Sequence, residues 1–118
     1  MIAPGPATRV FLAAGPTDLR KSFEGLSALV RQRLEQDPLS GHLFVFANRH
    51  RTRLKVFYFD GTGTWVCAKR LERGTYNWPK TTEEEPAALR ILAEELMLLL
   101  SGIDLEKTRE RAWWRKAA

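Results

Sequence analysis

Positive charge is concentrated in two neighbouring segments whose residue types suit phosphate binding. The first segment contains Arg49, Arg51, Arg53 and Lys55, and the second contains Lys69, Arg70 and Arg73. Between residues 49 and 73, seven Lys or Arg residues stand against two Asp or Glu residues. Cations at this density release counterions from a polyanion, and a two-stranded ribbon can enter a DNA groove. The alternative is a charged sheet edge that prevents aggregation. We favour nucleic acid because few acidic residues balance the charge.

The carboxyl-terminal segment 106–118 combines five cations with two adjacent tryptophans, Trp113 and Trp114. Cations and indole rings together suit phosphate contact and base stacking. The same tryptophans would also suit a contact with a partner protein or packing on the core. The sequence leaves these alternatives open.

An apolar run at residues 96–100 is wider than one helix face requires. Such a helix is either buried on all sides or contacts another protein with one side. We therefore treat Leu96, Leu99 and Leu100, together with Trp113 and Trp114, as candidates for contact with a partner protein or a second copy.

Catalytic chemistry has little support in this sequence. Two-metal cleavage of a phosphodiester needs clustered carboxylates, and the candidates Asp18, Asp60 and Glu72 have no convincing spacing. Cys67 lies in an apolar strand, and with two histidines it cannot complete a four-ligand zinc site. We expect no catalytic residue, no metal site and no cofactor.

Length and composition predict one domain over residues 1–118. The chain has 118 residues, a net charge of +5 and one cysteine. Residues 1–7 are expected to fray, residues 9–105 to form the folded core, and residues 106–118 to form the basic tail. A lone cysteine excludes an intrachain disulfide and suits the cytoplasm. No apolar stretch approaches the length of a membrane span, so we expect no membrane association.

Hydrophobic periodicity predicts the elements that position these residues. Residues 9–13, 43–47, 54–59 and 64–71 are predicted strands, and residues 75–78 may add a short one. Thr17 or Asp18 is predicted to cap a helix that runs to about Glu35. Residues 81–86 should open a second helix, with Leu89, Leu92, Leu96, Leu99 and Leu100 on its apolar face and Gly102 at its end. The predicted class is α+β: a mostly antiparallel β-meander with a short N-terminal strand and two packing helices.

The predicted start of the first helix also contains two cations, Arg20 and Lys21. A helix N-terminus with Arg and Lys nearby can bind an anion. Asp18 repels anions, however, and an ordinary helix cap explains it well. From the residues alone, the structural role is the favoured one.

Several blocks of sequence, taken in order, resemble one protein family. They are residues 15–26 (GPTDLRKSFEGL), 41–49 (GHLFVFANR), 53–60 (RLKVFYFD), 69–74 (KRLERG), 78–79 (WP) and 99–104 (LLSGID). They resemble the TnpB accessory proteins of the insertion sequence sixty-six family, which are unrelated to the RNA-guided nuclease of the same name. The resemblance covers roughly residues 9–105, and several blocks in the right order are more specific than any single motif.

This resemblance implies a bacterial mobile element that encodes a separate DDE-type transposase and small accessory proteins. The family has no established catalytic residues, and its accessory proteins are required for efficient transposition. The family's basic and aromatic motif positions fall on Arg20, Lys21, Asn48, Arg49, Lys55, Tyr58, Lys69, Arg70 and Arg73. The resemblance thus adds Arg20, Lys21 and Asn48 to the candidate DNA contacts.

Three functional hypotheses follow. The first is an accessory factor that binds DNA without cutting it and helps to assemble the transposase complex, with the transposase, another element-encoded accessory protein or a second copy as partners. The second is a pure interaction module for the transposase. The third is a metal-dependent nuclease that uses Asp18, Asp60 or Glu72.

Overall fold

The computed structural model describes residues 7–79 and 87–102 and the backbone of 115–116, and its centre is a six-stranded sheet with one helix on each face. The elements are β1 (Val10–Ala13), α1 (Phe23–Gln32), β2 (Leu43–Ala47), β3 (Arg53–Phe59), β4 (Thr64–Arg70), β5 (Ala88–Ile91), α2 (Ala93–Leu100) and β6 (Arg115–Lys116). The strand order is β4-β3-β2-β1-β5-β6. The α+β class and the mostly antiparallel sheet are therefore confirmed.

The N-terminal strand β1 lies inside the sheet rather than at its edge. It pairs in parallel with β2 and antiparallel with β5, while β2–β3 and β3–β4 form the predicted antiparallel meander. Every residue of β1 and β2 is buried. Strands covered on both faces are expected to be continuously apolar, as these two are.

Alternate residues of the strands pack into two separate hydrophobic cores. Val10 and Leu12 of β1 face a cluster that contains Leu96 and Leu99 of α2. Phe11, by contrast, belongs to a second cluster with Leu26 and Val30 of α1. Since successive strand residues point to opposite faces, the two helices cover opposite sides of the sheet.

Helix α1 is shorter than predicted. It begins at Phe23 with Ser22 as its N-cap and ends at Gln32, so neither Thr17 nor Asp18 caps it. The Asp18 carboxylate instead accepts the backbone N–H of Arg20 two residues later, a local turn that competes with helix formation. The helix closes where Glu35 adopts a left-handed backbone at φ +54°.

The prediction of one long second helix with Leu89 and Leu92 on its face was wrong. Residues 88–91 form β5, and Leu89 pairs with Leu12 in the interior of the sheet. Pairing with β1 overrides a leucine spacing that fits a helix equally well. Helix α2 starts at Ala93, where Glu95 accepts the backbone N–H of Leu92 at 2.9 Å. Its end is as predicted, with Gly102 at φ +77°.

Residues 75–79 do not form the predicted short strand. Tyr76 and Trp78 are instead buried in the cluster beneath α2.

The predicted frayed residues 1–6, the helix-opening segment 81–86, and Trp113 and Trp114 lie outside the described residues. Arg115 and Lys116 of the predicted tail pair with β5 as the edge strand β6. Among the described residues, neither helix has the length and apolar character needed to cross a bilayer.

Candidate nucleic-acid interface

A groove at one end of the sheet collects most of the predicted phosphate contacts. It lies between the start of β3, the end of β4 and the loop of residues 14–22 that joins β1 to α1, and it has a volume of about 700 Å³. Its lining residues are Asp18, Leu19, Arg20, Asn48, Arg53, Leu54, Lys55, Ala68, Lys69 and Arg70. We call this the basic groove.

Two arginines define the floor of the basic groove. Arg53 and Arg70 are directly opposite each other in the β3–β4 pairing, and both are exposed. They share a face with Phe57, which packs in the cluster beneath α1. Like charges directly opposite each other destabilise a sheet. Arg70 Nη2 lies 3.6 Å from the carboxylate of Glu72, which is itself exposed. The pair therefore concentrates positive charge at this end of the hairpin.

The β1–α1 loop contributes a third arginine, which is already paired. Arg20 donates from Nε to Asp18 Oδ1 at 3.0 Å and from Nη2 to Oδ2 at 2.8 Å. These hydrogen bonds, helped by the Arg20 backbone N–H, lower the pKa of Asp18 to about 2. The same pair raises the pKa of Arg20. Both groups therefore stay charged at any physiological pH.

Hydrogen bonds from basic side chains hold this loop in place. Lys55 Nζ donates to the Lys21 carbonyl at 3.0 Å, and Arg33 Nη1 donates to the Pro16 carbonyl at 3.4 Å. The Arg33 guanidinium lies so close to Gly15 that a Cβ there would meet it at 2.7 Å. Lys55 thus both lines the groove and positions its wall.

Asn48, a candidate DNA contact from the resemblance, is committed to the β2–β3 turn. Its Oδ1 accepts the backbone N–H groups of Thr52 at 2.9 Å and Arg53 at 3.1 Å. Its Nδ2 donates to Thr52 Oγ1 at 3.1 Å. The side chain therefore shapes the start of β3, where the groove begins.

A smaller cleft of about 220 Å³ adjoins the groove and shares Asn48 with it. Arg49, Arg51 and Trp78 line this cleft, which we call the Trp78 cleft. Arg51 has a left-handed backbone at φ +57° and donates from Nη1 to the Trp78 carbonyl at 3.4 Å. Trp78 is anchored in turn by its indole N–H, which donates to the Ala13 carbonyl at 2.9 Å.

Of the remaining basic candidates, Lys69 also lines the groove, but its terminal amine is used elsewhere. Lys69 is paired with Leu54, a residue of the cluster beneath α2, so its side chain lies on the opposite face from Arg53. Its Nζ donates to the Leu100 carbonyl at 2.8 Å, at the end of α2. Arg73 is exposed beyond β4, and Lys21 is exposed in the loop. The cations of this hairpin are therefore divided between its two faces.

The predicted partner face of α2 is largely core. Leu96 and Leu99 are buried against the sheet, so they do not form a surface for a partner, while Leu100 is half-buried. Met97 is 56% exposed and was missed. On α2, Met97 lies between Ala93, four residues before it, and Leu100, three residues after it, on the outer face.

Two of the three candidate nuclease carboxylates, Asp18 and Asp60, lie far apart. Asp18 lines the groove at the start of β3, whereas Asp60 follows the other end of this seven-residue strand, which is roughly 20 Å long. Asp60 also accepts hydrogen bonds from Thr62, Gly63 and the Trp65 indole, and these hold its pKa far below the usual range. Within the described part of the chain, no three His, Cys, Asp or Glu residues are grouped to hold a metal ion.

Fold and groove together define a small α+β protein with a three-layer arrangement and a cationic groove at one end of its sheet. The family described as IS66 Orf2 like protein matches residues 8–110. The chain belongs to this family and is thus an accessory protein of an insertion sequence, associated with transposition.

Two relatives from Sinorhizobium fredii are similar over nearly the whole chain. Uncharacterized protein y4hO is 41% identical over 115 residues, which cover 98% of this chain and 96% of that protein. Uncharacterized protein y4jC is 35% identical over 111 residues, which cover 94% of this chain and 92% of that protein. No solved structure is significantly similar to the chain.

Proposed function

We propose that this accessory protein binds DNA through the basic groove and does not cut it. The ligand would be the phosphate backbone, since arginines bind phosphate oxygens with paired N–H groups and carry no base specificity there. Binding would depend strongly on salt and weakly on sequence, with a dissociation constant of about 10⁻⁴–10⁻⁶ M on non-specific duplex at physiological salt.

The observation that carries this proposal is the pairing of Arg53 with Arg70 on one face of the hairpin. A cross-strand pair of like charges weakens the sheet in the free protein. A phosphate between the two guanidinium groups turns this repulsion into two attractive contacts. Lys55 and Arg20 line the same groove and extend the positive surface.

The adjoining Trp78 cleft gives the DNA strand a path beyond the groove. Arg49 and Arg51 line the cleft, and Asn48 lies at the boundary between the two cavities. A backbone that enters at Arg70 and Arg53 would continue past Asn48 towards Arg49. Arg73 lines neither cavity, and the Lys69 amine is held by the Leu100 carbonyl on the other face of the hairpin, so we expect neither to contact the same phosphates.

A role in assembling the transposase complex is supported by a different surface. Met97 is exposed on α2, with half-buried Ala93 and Leu100 on the same helix face. An exposed methionine on an apolar helix face suits an adaptable protein contact. We propose this face, in place of Leu96 and Leu99, as the contact with the transposase or a second copy.

The non-catalytic role rests on the wide separation of Asp18 and Asp60, because two-metal cleavage needs carboxylates around ions about 4 Å apart. Incubation of the protein with plasmid and with short duplexes in Mg²⁺ or Mn²⁺ tests it. Intact DNA is the expected outcome, and metal-dependent products that Asp60→Asn removes would restore the nuclease hypothesis.

Fluorescence anisotropy of a labelled element-end duplex and a scrambled duplex, at two salt concentrations, tests DNA binding. The expected result is binding to both duplexes that weakens steeply with salt. Absence of binding at low salt would reject the DNA role and leave the interaction module. Co-purification with the transposase, compared between the wild type and Met97→Glu, would then test that second role.

A further inference from the structure

Asp18 lines the groove that the proposed function assigns to a phosphate. Arg53, Lys55 and Arg70 line the same space, so a fixed negative charge here opposes the ligand. The structural role expected for Asp18 does not account for that charge, because α1 begins at Phe23 and has Ser22 as its N-cap.

The local turn does not need the charge either. Asp18 Oδ1 accepts the backbone N–H of Arg20 at 3.0 Å, and the amide oxygen of an asparagine would serve equally well in such a turn. What only the carboxylate supplies is an ionic partner for the Arg20 guanidinium.

The contact with Arg20 uses the edge by which an arginine binds phosphate. Nε lies 3.0 Å from Oδ1 and 3.2 Å from Oδ2, and Nη2 lies 2.8 Å from Oδ2. This two-pronged geometry is the one in which guanidinium groups bind carboxylates and phosphates alike. The side chains of Arg20 and Asp18 are 91% and 45% exposed. An ion pair so exposed contributes little stability and exchanges readily.

We propose that Asp18 competes with the ligand for Arg20. In the free protein Asp18 occupies the edge of Arg20 that would bind phosphate, so only a ligand with enough negative charge displaces it. This inference rests on the proposed function and names a residue that determines specificity within the same groove. A polyanion such as a DNA strand engages Arg53 and Arg70 simultaneously and displaces Asp18, whereas a weakly charged anion does not.

The test compares Asp18→Asn, Arg20→Ala and the double variant with wild type, by anisotropy of one labelled duplex at fixed low salt. Asparagine keeps the turn acceptor, and circular dichroism melts check that each variant is folded. We expect Asp18→Asn to tighten binding by about three- to five-fold, in line with the modest strength of exposed pairs. In the Arg20→Ala background the same change should have less than about half of that effect.

Other outcomes overturn the inference in distinct ways. Weaker binding by Asp18→Asn would make Asp18 a positioning residue for Arg20. Equal tightening with and without Arg20 would mean general repulsion of DNA and no competition. If wild type fails to bind but Asp18→Asn binds, the inference stands and the proposed function of the unmodified chain fails. If neither binds, both are rejected.

Discussion

Arg53 of β3 and Arg70 of β4 lie directly opposite each other, and the neighbouring pair sets Leu54 against Lys69. Because the side chains of successive pairs alternate between faces, one basic hairpin presents its cations on both sides of the sheet. The arginine pair faces the loop before α1, and Lys69 faces α2. The arginines therefore line the groove, whereas the Lys69 amine joins the hairpin to the end of α2.

Arg53→Glu should weaken DNA binding strongly without weakening the fold. The change replaces a repulsive cross-strand pair with an attractive one, which favours the sheet by about 0.2–1 kcal/mol. We expect an unchanged or slightly higher melting temperature and at least a roughly ten-fold loss of affinity for a labelled duplex. Arg31→Glu makes the same charge change on an exposed position of α1, away from the groove, and should lower affinity far less. Equal losses in the two variants would reject the assigned face.

Lys69→Met should reduce stability more than DNA affinity. Lys69 Nζ donates to the Leu100 carbonyl at the end of α2, where a cation also favours the helix dipole. Losing this exposed contact should lower the free energy of unfolding by about 0.5–1 kcal/mol, measurable by urea denaturation. Arg73→Met is the matched control beyond β4, and it should leave stability unchanged. A large affinity loss with unchanged stability in Lys69→Met would place Lys69 in the DNA interface.

Trp78→Phe should destabilise the protein by about 1–3 kcal/mol, the range for a buried polar group left without its partner. The indole N–H of Trp78 donates to the buried Ala13 carbonyl at the end of β1. Trp65→Phe is the natural control, since that indole is exposed and donates to Asp60 at the hairpin turn. Urea denaturation should separate the two variants clearly. Similar midpoints would mean that the Ala13 hydrogen bond contributes little.

Sequence patterns predicted the strands well where local and tertiary signals agree. The apolar run that ends at Ala47 and the Gly-containing turn after Phe59 fix β2, β3 and β4 to within one residue of their observed bounds. Leu89 shows the opposite case, because its spacing from Leu92 and Leu96 fits a helix, yet pairing with Leu12 makes it part of a strand. The central place of β1 rests on long-range pairing that no local pattern encodes.

The candidate site was predictable by residue type but not by arrangement. Charge density identified Arg53 and Arg70, and the hairpin prediction brought their strands together. What the sequence could not give is that Lys69 faces α2 and that Asp18 pairs with Arg20 instead of capping α1. The first depends on the strand register, since a shift of one residue moves every side chain of a strand to the other face of the sheet. The second depends on where the helix starts.

Stability should fall as pH is lowered from about 7 towards 5.5, and His42 should account for the fall. Burial, reinforced by Arg9 and Arg90, lowers the pKa of His42 below its usual value of 6.5, and Nδ1 accepts the Arg9 backbone N–H at 3.0 Å. The unfolded chain therefore binds the proton more readily, so stability is present above pH 6.5 and is lost below it. Asp18 and Asp60 have usual pKa values of 3.8, below this window.

Melting temperatures of wild type and His42→Gln across this pH range provide the measurement. The variant should show a flat profile, although its absolute stability is lower because the contact with Arg9 is altered. His50→Gln, at an exposed position of the β2–β3 turn, should keep the wild-type slope. A slope that persists in His42→Gln would assign the pH dependence to another group.

Asn48 distinguishes a residue that shapes the groove from one that touches DNA. Its Oδ1 accepts two backbone N–H groups at the start of β3, so Asn48→Ala should lower the free energy of unfolding by about 1–3 kcal/mol. Asn48→Asp keeps both acceptor contacts and adds a negative charge where the groove meets the Trp78 cleft. We expect that variant to lose DNA affinity and to stay folded, with a melting temperature lowered only by the loss of the Nδ2 donor to Thr52 Oγ1. If Asn48→Ala instead kept full stability but lost affinity, the Asn48 side-chain amide would contact DNA directly.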